Sequence, residues 1–144
     1  MKRIIHIAAL LLFSFGILAC SQSNPENHGD LSGLKTFEYQ GYTYYLHSVI
    51  GKYNYSDATE NVNNLSSYGY TSWFIPSIDE LNMALGAGLI DIYSDYQGYW
   101  SSSQAKSNFK WILSFDQFEN KWEHNEADLR ATCWTLPMIR VRQQ

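Results

Sequence analysis

The chain has 144 residues, 45% of them hydrophobic and 17% charged, with a formal net charge of −4 and only two cysteines. This length suits one domain once any targeting segment is set aside. The acidic balance argues against a nucleic-acid partner, which needs Lys and Arg for the phosphates, and two cysteines cannot build a disulfide framework.

The first twenty residues read as a secretory signal: Lys2 and Arg3, an apolar run from Ile4 to Leu18, then Ala19-Cys20. The run is short for a helix that must cross a ~30 Å hydrocarbon core with ~20 residues. An ordinary cleaved signal with an incidental cysteine is the competing reading, since Leu18 is not the small residue preferred two places before a lipidated cysteine. The polar stretch Ser21 to Asp30, with Pro25 and Gly29, has the composition of a tether. Lipid anchoring through Cys20 is the reading adopted, with residues 1–19 as signal, 20–30 as lipidated cysteine and tether, and 31–144 as the domain. Ten tether residues average roughly 17 Å end to end and reach ~35 Å at full stretch. Loss of Lys2 and Arg3 leaves eight basic residues against fourteen acidic ones, a formal −6.

Within the body, Tyr42 to Ile50 is rich in aromatic and β-branched residues and reads as a strand, paired with Phe37 to Tyr39 across a Gln40-Gly41 turn. A helix follows, with Asp57 and Glu60 spaced as a capping box and Ala58, Val62 and Leu65 as its apolar stripe. Gly69 is its stop. After the short apolar run Trp73 to Ile75, Pro76 holds its neighbour extended, and Ser77 with Glu80 forms a second capping box ahead of Leu81, Ala84 and Leu85. Gly86 and Gly88 end that helix.

Tyr99 to Ser102 reads as a short strand. Phe109 to Phe115 alternates, with Phe109, Trp111, Leu113 and Phe115 on one face. A turn near Glu119-Asn120 returns the chain through Lys121 to His124, a loop is expected from Asn125 to Leu136, and Met138 to Arg142 alternates as a terminal strand half exposed to solvent. Two short helices amid strands make the fold class α+β, with a mostly antiparallel, irregular sheet.

Little here suggests chemistry. Glu123, His124 and Asp128 carry metal-ligand side chains, but no paired-histidine spacing accompanies them, and no EF-hand run is present. Ser101 to Ser103 lack the strained elbow of a nucleophilic serine, and no positioned carboxylate pair appears among Asp79, Glu80, Asp91 and Asp95. No catalytic residue, metal or cofactor is expected. Cys133, left unpaired if Cys20 carries lipid, reads as a small buried hydrophobe. Aromatics make up 16% of the chain; Trp73, Trp100 and Trp111 belong to core positions, while Trp122, Trp134, Tyr93 and Tyr96 are the candidate ligand-binding rings.

Five segments in order carry a family resemblance: Ser56-Asp57-Ala58, Gly69, Trp73-Phe74-Ile75-Pro76-Ser77 with Glu80-Leu81, Tyr99-Trp100-Ser101-Ser102-Ser103, and Ile139-Arg140-Val141-Arg142. Together they resemble the DUF1566 family over about Phe37 to Arg142. The resemblance implies a fold related to C-type lectin-like domains and formylglycine-generating enzymes, used mostly in extracellular binding proteins, a collagen-like adhesin among them. The oxidase chemistry of the latter relatives needs a cysteine pair, and this body has one cysteine. The sulfated polysaccharide taken by the adhesin demands a basic surface, for which Lys106, Lys110, Arg130, Arg140 and Arg142 would have to cluster.

The expectation is therefore a non-enzymatic binding module, lipid-anchored in a bacterial envelope, most simply at the outer membrane because Ser21 follows Cys20. Its ligand is a glycan or another protein, with a possible adhesion role. The alternatives are a structural accessory subunit of an envelope or fibre assembly and, third, an enzyme.

Overall fold

The computed structural model describes residues 29–93 and 98–144; the signal segment, Cys20 and the tether up to residue 28 lie outside the described residues, as does Tyr96. The chain opens with the expected hairpin, β1 (Lys35–Tyr39) against β2 (Tyr42–Leu46). Gln40 and Gly41 both take positive φ, 49° and 79°, the conformation whose twist matches that of two paired strands. The strand predicted to run on to Ile50 stops at Leu46, and a separate β3 (Gly51–Tyr53) follows.

Helix α1 (Tyr55–Asn63) begins earlier than its spacing predicts, and its cap is Asn54, not Asp57. Asn54 Oδ1 accepts from the Asp57 amide at 2.9 Å, and its own amide donates to the Asp57 carboxylate at 2.9 Å. The earlier start places the Tyr55 ring edge-on to Trp100, centroids 5.3 Å apart. Ala58 and Val62 are buried as expected, but the helix ends at Asn63 with Asn64 as its C-cap, so Leu65 lies past it and Gly69 is not its stop. Helix α2 (Ile78–Gly86) has the predicted capping box, Ser77 with Glu80.

Strands β4 (Tyr99–Lys106), β5 (Phe109–Asp116), β6 (Lys121–Asp128), β7 (Cys133–Thr135) and β8 (Met138–Arg142) complete the α+β fold. The segment 125–136, expected as a loop, contains the end of β6 and all of β7. Two sheets form rather than one: β1-β2-β8, and β3-β7-β4-β5-β6, antiparallel except where β4 meets β7. The division has a local cause. Leu46 pairs Met138 and Gly51 pairs Thr135, so residues 47–50 oppose only residues 136 and 137. Pro137 has no amide for a ladder, and its carbonyl accepts from His47 instead, at 2.9 Å.

The larger sheet is covered on both faces. Trp100, Ile112, Ala127 and Cys133 pack with Ala58 and Val62 of α1; Tyr99 and Leu113 pack with Leu81 and Ala84 of α2 and with Phe37, Tyr44 and Met138 of the smaller sheet. That explains why β5 is buried on successive residues, Ile112 to Ser114, despite its alternating text. Cys133 is buried, and burial pushes its thiol up to about 12, with Lys52 pulling weakly the other way. Among the described residues no helix is long and apolar enough to cross a membrane.

Glu80 ties these layers together. Its buried carboxylate accepts from the Ser77 amide at 2.7 Å and from the Tyr44 hydroxyl at 2.9 Å, with Arg140 Nη1 3.7 Å away. Glu80→Ala leaves the Tyr44 hydroxyl, the Ser77 amide and Arg140 without this partner, and is expected to cost about 2–4 kcal/mol. Ser77→Ala removes one capping bond and should cost about 1 kcal/mol. Urea unfolding of both variants checks the ranking.

Candidate functional site

Three of the four candidate rings, Tyr93, Trp134 and Trp122, gather with Tyr99 on one sheet face. Tyr93 stacks on Trp134 with centroids 4.4 Å apart, and lies 6.2 Å from Tyr99. Tyr99 lies 6.4 Å from Trp122, which meets Phe115 at 5.3 Å. Neither tryptophan sits in a loop: Trp122 belongs to β6 and Trp134 to β7, and both are partly buried against the core. Lys52 also lies over Trp134, at 5.3 Å. Tyr99 is 2% exposed and Tyr93 37%, so Tyr93 is the most open ring of the described row. The Tyr99 hydroxyl donates to the Asp91 carbonyl at 2.7 Å, and burial holds it well above its ordinary pKa. Beside Tyr93 a cleft of about 280 Å³ is bounded by His47, Lys35 and Asp91, the last two 3.4 Å apart.

The other chemistry-bearing residues have structural partners. Glu123 and His124 are strand neighbours and so project to opposite faces, and His124 Nε2 bonds Asn82 Oδ1 at 2.7 Å. Among the described residues, no three His, Cys, Asp or Glu side chains gather as a metal site. The serines of β4 serve a bulge, where the register against β5 shifts between Trp100 and Gln104. Ser101 Oγ donates to the Trp111 carbonyl at 2.6 Å, the Ser102 amide donates to the Pro76 carbonyl at 2.8 Å, and Ser103 Oγ accepts from the Ile78 amide at 3.0 Å. Of the five cations that might cluster, Lys106 pairs with Glu126, Arg130 with Asp128, and Arg140 approaches Glu80.

A larger concavity lies over α1, and sequence reading did not find it. About 850 Å³ opens between the outer face of α1 and the β6–β7 connection at Leu129 and Arg130. Two smaller hollows share its walls. One, about 220 Å³, takes in Tyr55, Thr59 and Asn63 and runs to Phe74 and Ser102; the other, about 470 Å³, takes in Leu129 and Arg130 and runs to Asn108. The shared residues make the three hollows neighbours on one furrowed surface over α1. The connection is pinned from two sides: the Tyr55 amide donates to the Leu129 carbonyl at 2.9 Å, and the Leu129 amide to the Asn108 carbonyl at 3.0 Å. The sequence signal was the outer stripe of α1, where Ser56, Thr59 and Asn63 recur at helical spacing. An ordinary solvated helix face would carry more Lys and Glu there.

Charge at the furrow is largely settled within the chain. Arg130 Nε and Nη2 each lie 2.9 Å from an Asp128 carboxylate oxygen, a two-pronged pair. Lys110 Nζ donates to the Ser102 carbonyl at 3.0 Å and lies 5.0 Å over the Tyr55 ring.

No protein-family model matches the chain, and no curated protein matches it.

The hydrogen bonds from Arg130 lower the Asp128 carboxyl pKa to about 2. Because the folded value lies below the unfolded one, the pairing is fully present above the ordinary carboxylate range and is lost as pH falls through about 2. An NMR titration should place the Asp128 midpoint there, and Arg130→Ala should return it toward the ordinary range.

Proposed function

We propose that this protein is a non-enzymatic binding module of the bacterial envelope, anchored through lipid on Cys20, most simply at the outer membrane. Its α+β domain is read as C-type lectin-like, on the resemblance of its motifs to the DUF1566 family. In the structure the residues of these motifs hold structural posts: Glu80 at the helix entry, Ser101 to Ser103 at the bulge, Arg140 beside Glu80.

The observation that carries a binding role is the furrow over α1. Its main chamber of about 850 Å³ falls within the range of ligand sites, ~300–1,000 Å³. Its ligand is a glycan or a protein of the envelope or of a facing surface, consistent with an adhesion role. Tyr93, braced on Trp134, with Trp122 beyond, is a secondary contact surface. A second reading, an accessory subunit of an envelope or fibre assembly, draws on Phe118, 89% exposed at the β5–β6 turn.

Two experiments on the full-length chain test the reading. Cys20→Ala should move the protein from the membrane to the soluble fraction, and continued retention overturns the lipid anchor. A photo-cross-linking side chain at Ser56 should capture a saccharide or a stoichiometric protein in intact envelopes. Capture only from position 118 would instead favour the accessory-subunit reading.

A further inference from the structure

We infer that the furrow over α1 is a site for an uncharged oligosaccharide, held in extended form by side-chain amides and hydroxyls. The inference rests on the binding-module reading and names the ligand class for its site.

Shape comes first. The main chamber shares Tyr55, Thr59 and Asn63 with the hollow that reaches Ser102, and Leu129 and Arg130 with the one that reaches Asn108, so adjoining subsites stand on both flanks of it. An extended chain fits such a form better than a compact small molecule.

Chemistry narrows the class. Among the described residues, the side chains of Ser56, Asn63, Asn64 and Asn108 have no hydrogen-bond partner, and all four residues are exposed. An amide offers donors and an acceptor on one planar group, and a hydroxyl offers both on one atom. Neighbouring hydroxyls of a sugar ring present the same mixed pattern, and side-chain amides can meet them in pairs. An ionic ligand finds less. Arg130 is already held by both Asp128 oxygens, Lys110 is engaged with Ser102 and Tyr55, and Glu60 adds an unpaired negative charge that repels polyanions. The apolar part of the wall, with Tyr55 and Leu129, suits the C–H faces of sugar rings.

The placement of the amides favours binding over mere solvation. Asn63 ends α1 and Asn64 is its C-cap, held by its own amide donating to the Glu60 and Val62 carbonyls, so their backbone is fixed before any ligand arrives. The opposite wall is fixed through both hydrogen bonds of Leu129. The walls are therefore preformed, and binding has to order the exposed side chains alone.

Isothermal titration of the full-length chain, with maltohexaose, cellohexaose and chitohexaose as separate probes and a sulfated heparin hexasaccharide as the charged comparison, tests the assignment. At least one neutral probe should bind, and Asn63→Ala/Asn64→Ala should weaken it about tenfold or more, as loss of two hydrogen bonds of ~1 kcal/mol each requires. Neither substitution removes a contact within the fold, so the thermal midpoint should not fall. The assignment is overturned if no neutral probe binds, if the double variant binds unchanged, or if the heparin probe binds more tightly than all three. Should the double variant lose a protein cross-linked from Ser56 while no sugar binds, the furrow remains the binding site and the saccharide assignment alone fails.

Discussion

The buried carboxylate of Glu80 is the point on which the two halves of the molecule meet. A charged group only 8% exposed persists in a core when its lone pairs are satisfied and a countercharge is near. Both conditions hold here, through the Ser77 amide, the Tyr44 hydroxyl and Arg140. Ser77 belongs to the entry of α2, while Tyr44 and Arg140 face each other in register on β2 and β8. One side chain therefore fixes the start of a helix and the position of the three-stranded sheet beneath it. Arg140 is itself braced, its guanidinium 5.1 Å from the Tyr42 ring and 5.7 Å from Phe74.

The segment leading into α2 extends that junction to the second sheet. Phe74 exchanges both backbone hydrogen bonds with Met138 of β8, and two residues on the Pro76 carbonyl accepts from Ser102 of β4. Proline suits this post because it holds φ fixed and needs no acceptor for an amide. The β4 bulge suits it too: where β4 parts from β5, small hydroxyl side chains take up the backbone groups that the ladder releases. Three serines that look like a nucleophile signal thus act as fasteners, Ser101 to β5 of the same sheet, Ser102 to the Pro76 segment and Ser103 to the start of α2.

The furrow is a product of the same scaffold at its opposite face. Ala58 and Val62 bury one side of α1 on Trp100 and its neighbours, which leaves the Ser56, Thr59 and Asn63 stripe facing outward. The β6–β7 connection then rises beside it, held at Leu129 by the start of α1 and by Asn108 at the β4–β5 turn. Asn108 takes a positive φ of 61°, a conformation asparagine tolerates better than most residues. The depression exists because three elements distant in sequence are pinned to one another.

Local chemistry was legible in the sequence wherever its cause was local. The Ser77–Glu80 capping box, the Gln40-Gly41 turn, the return near Asn120 and the bounds of the last strand follow from side chains within a few residues of one another. Where the sequence misled, a distant partner had intervened. The earlier start of α1 at Asn54 goes with Tyr55 packing on Trp100, and the stretch expected to be a loop became strand because Cys133 to Thr135 found Gly51 to Tyr53. The aromatic candidates show the same division: their chemical type was plain from the text, but only packing made Trp122 and Trp134 partly buried and left Tyr93 open. Residue identity by itself determined the charge balance, the α2 capping box and the hairpin turns, since those depend on neighbours along the chain. The split into two sheets, the burial of Glu80 and the furrow over α1 were decided by tertiary structure, since each requires contacts between segments whose pairing no local pattern encodes.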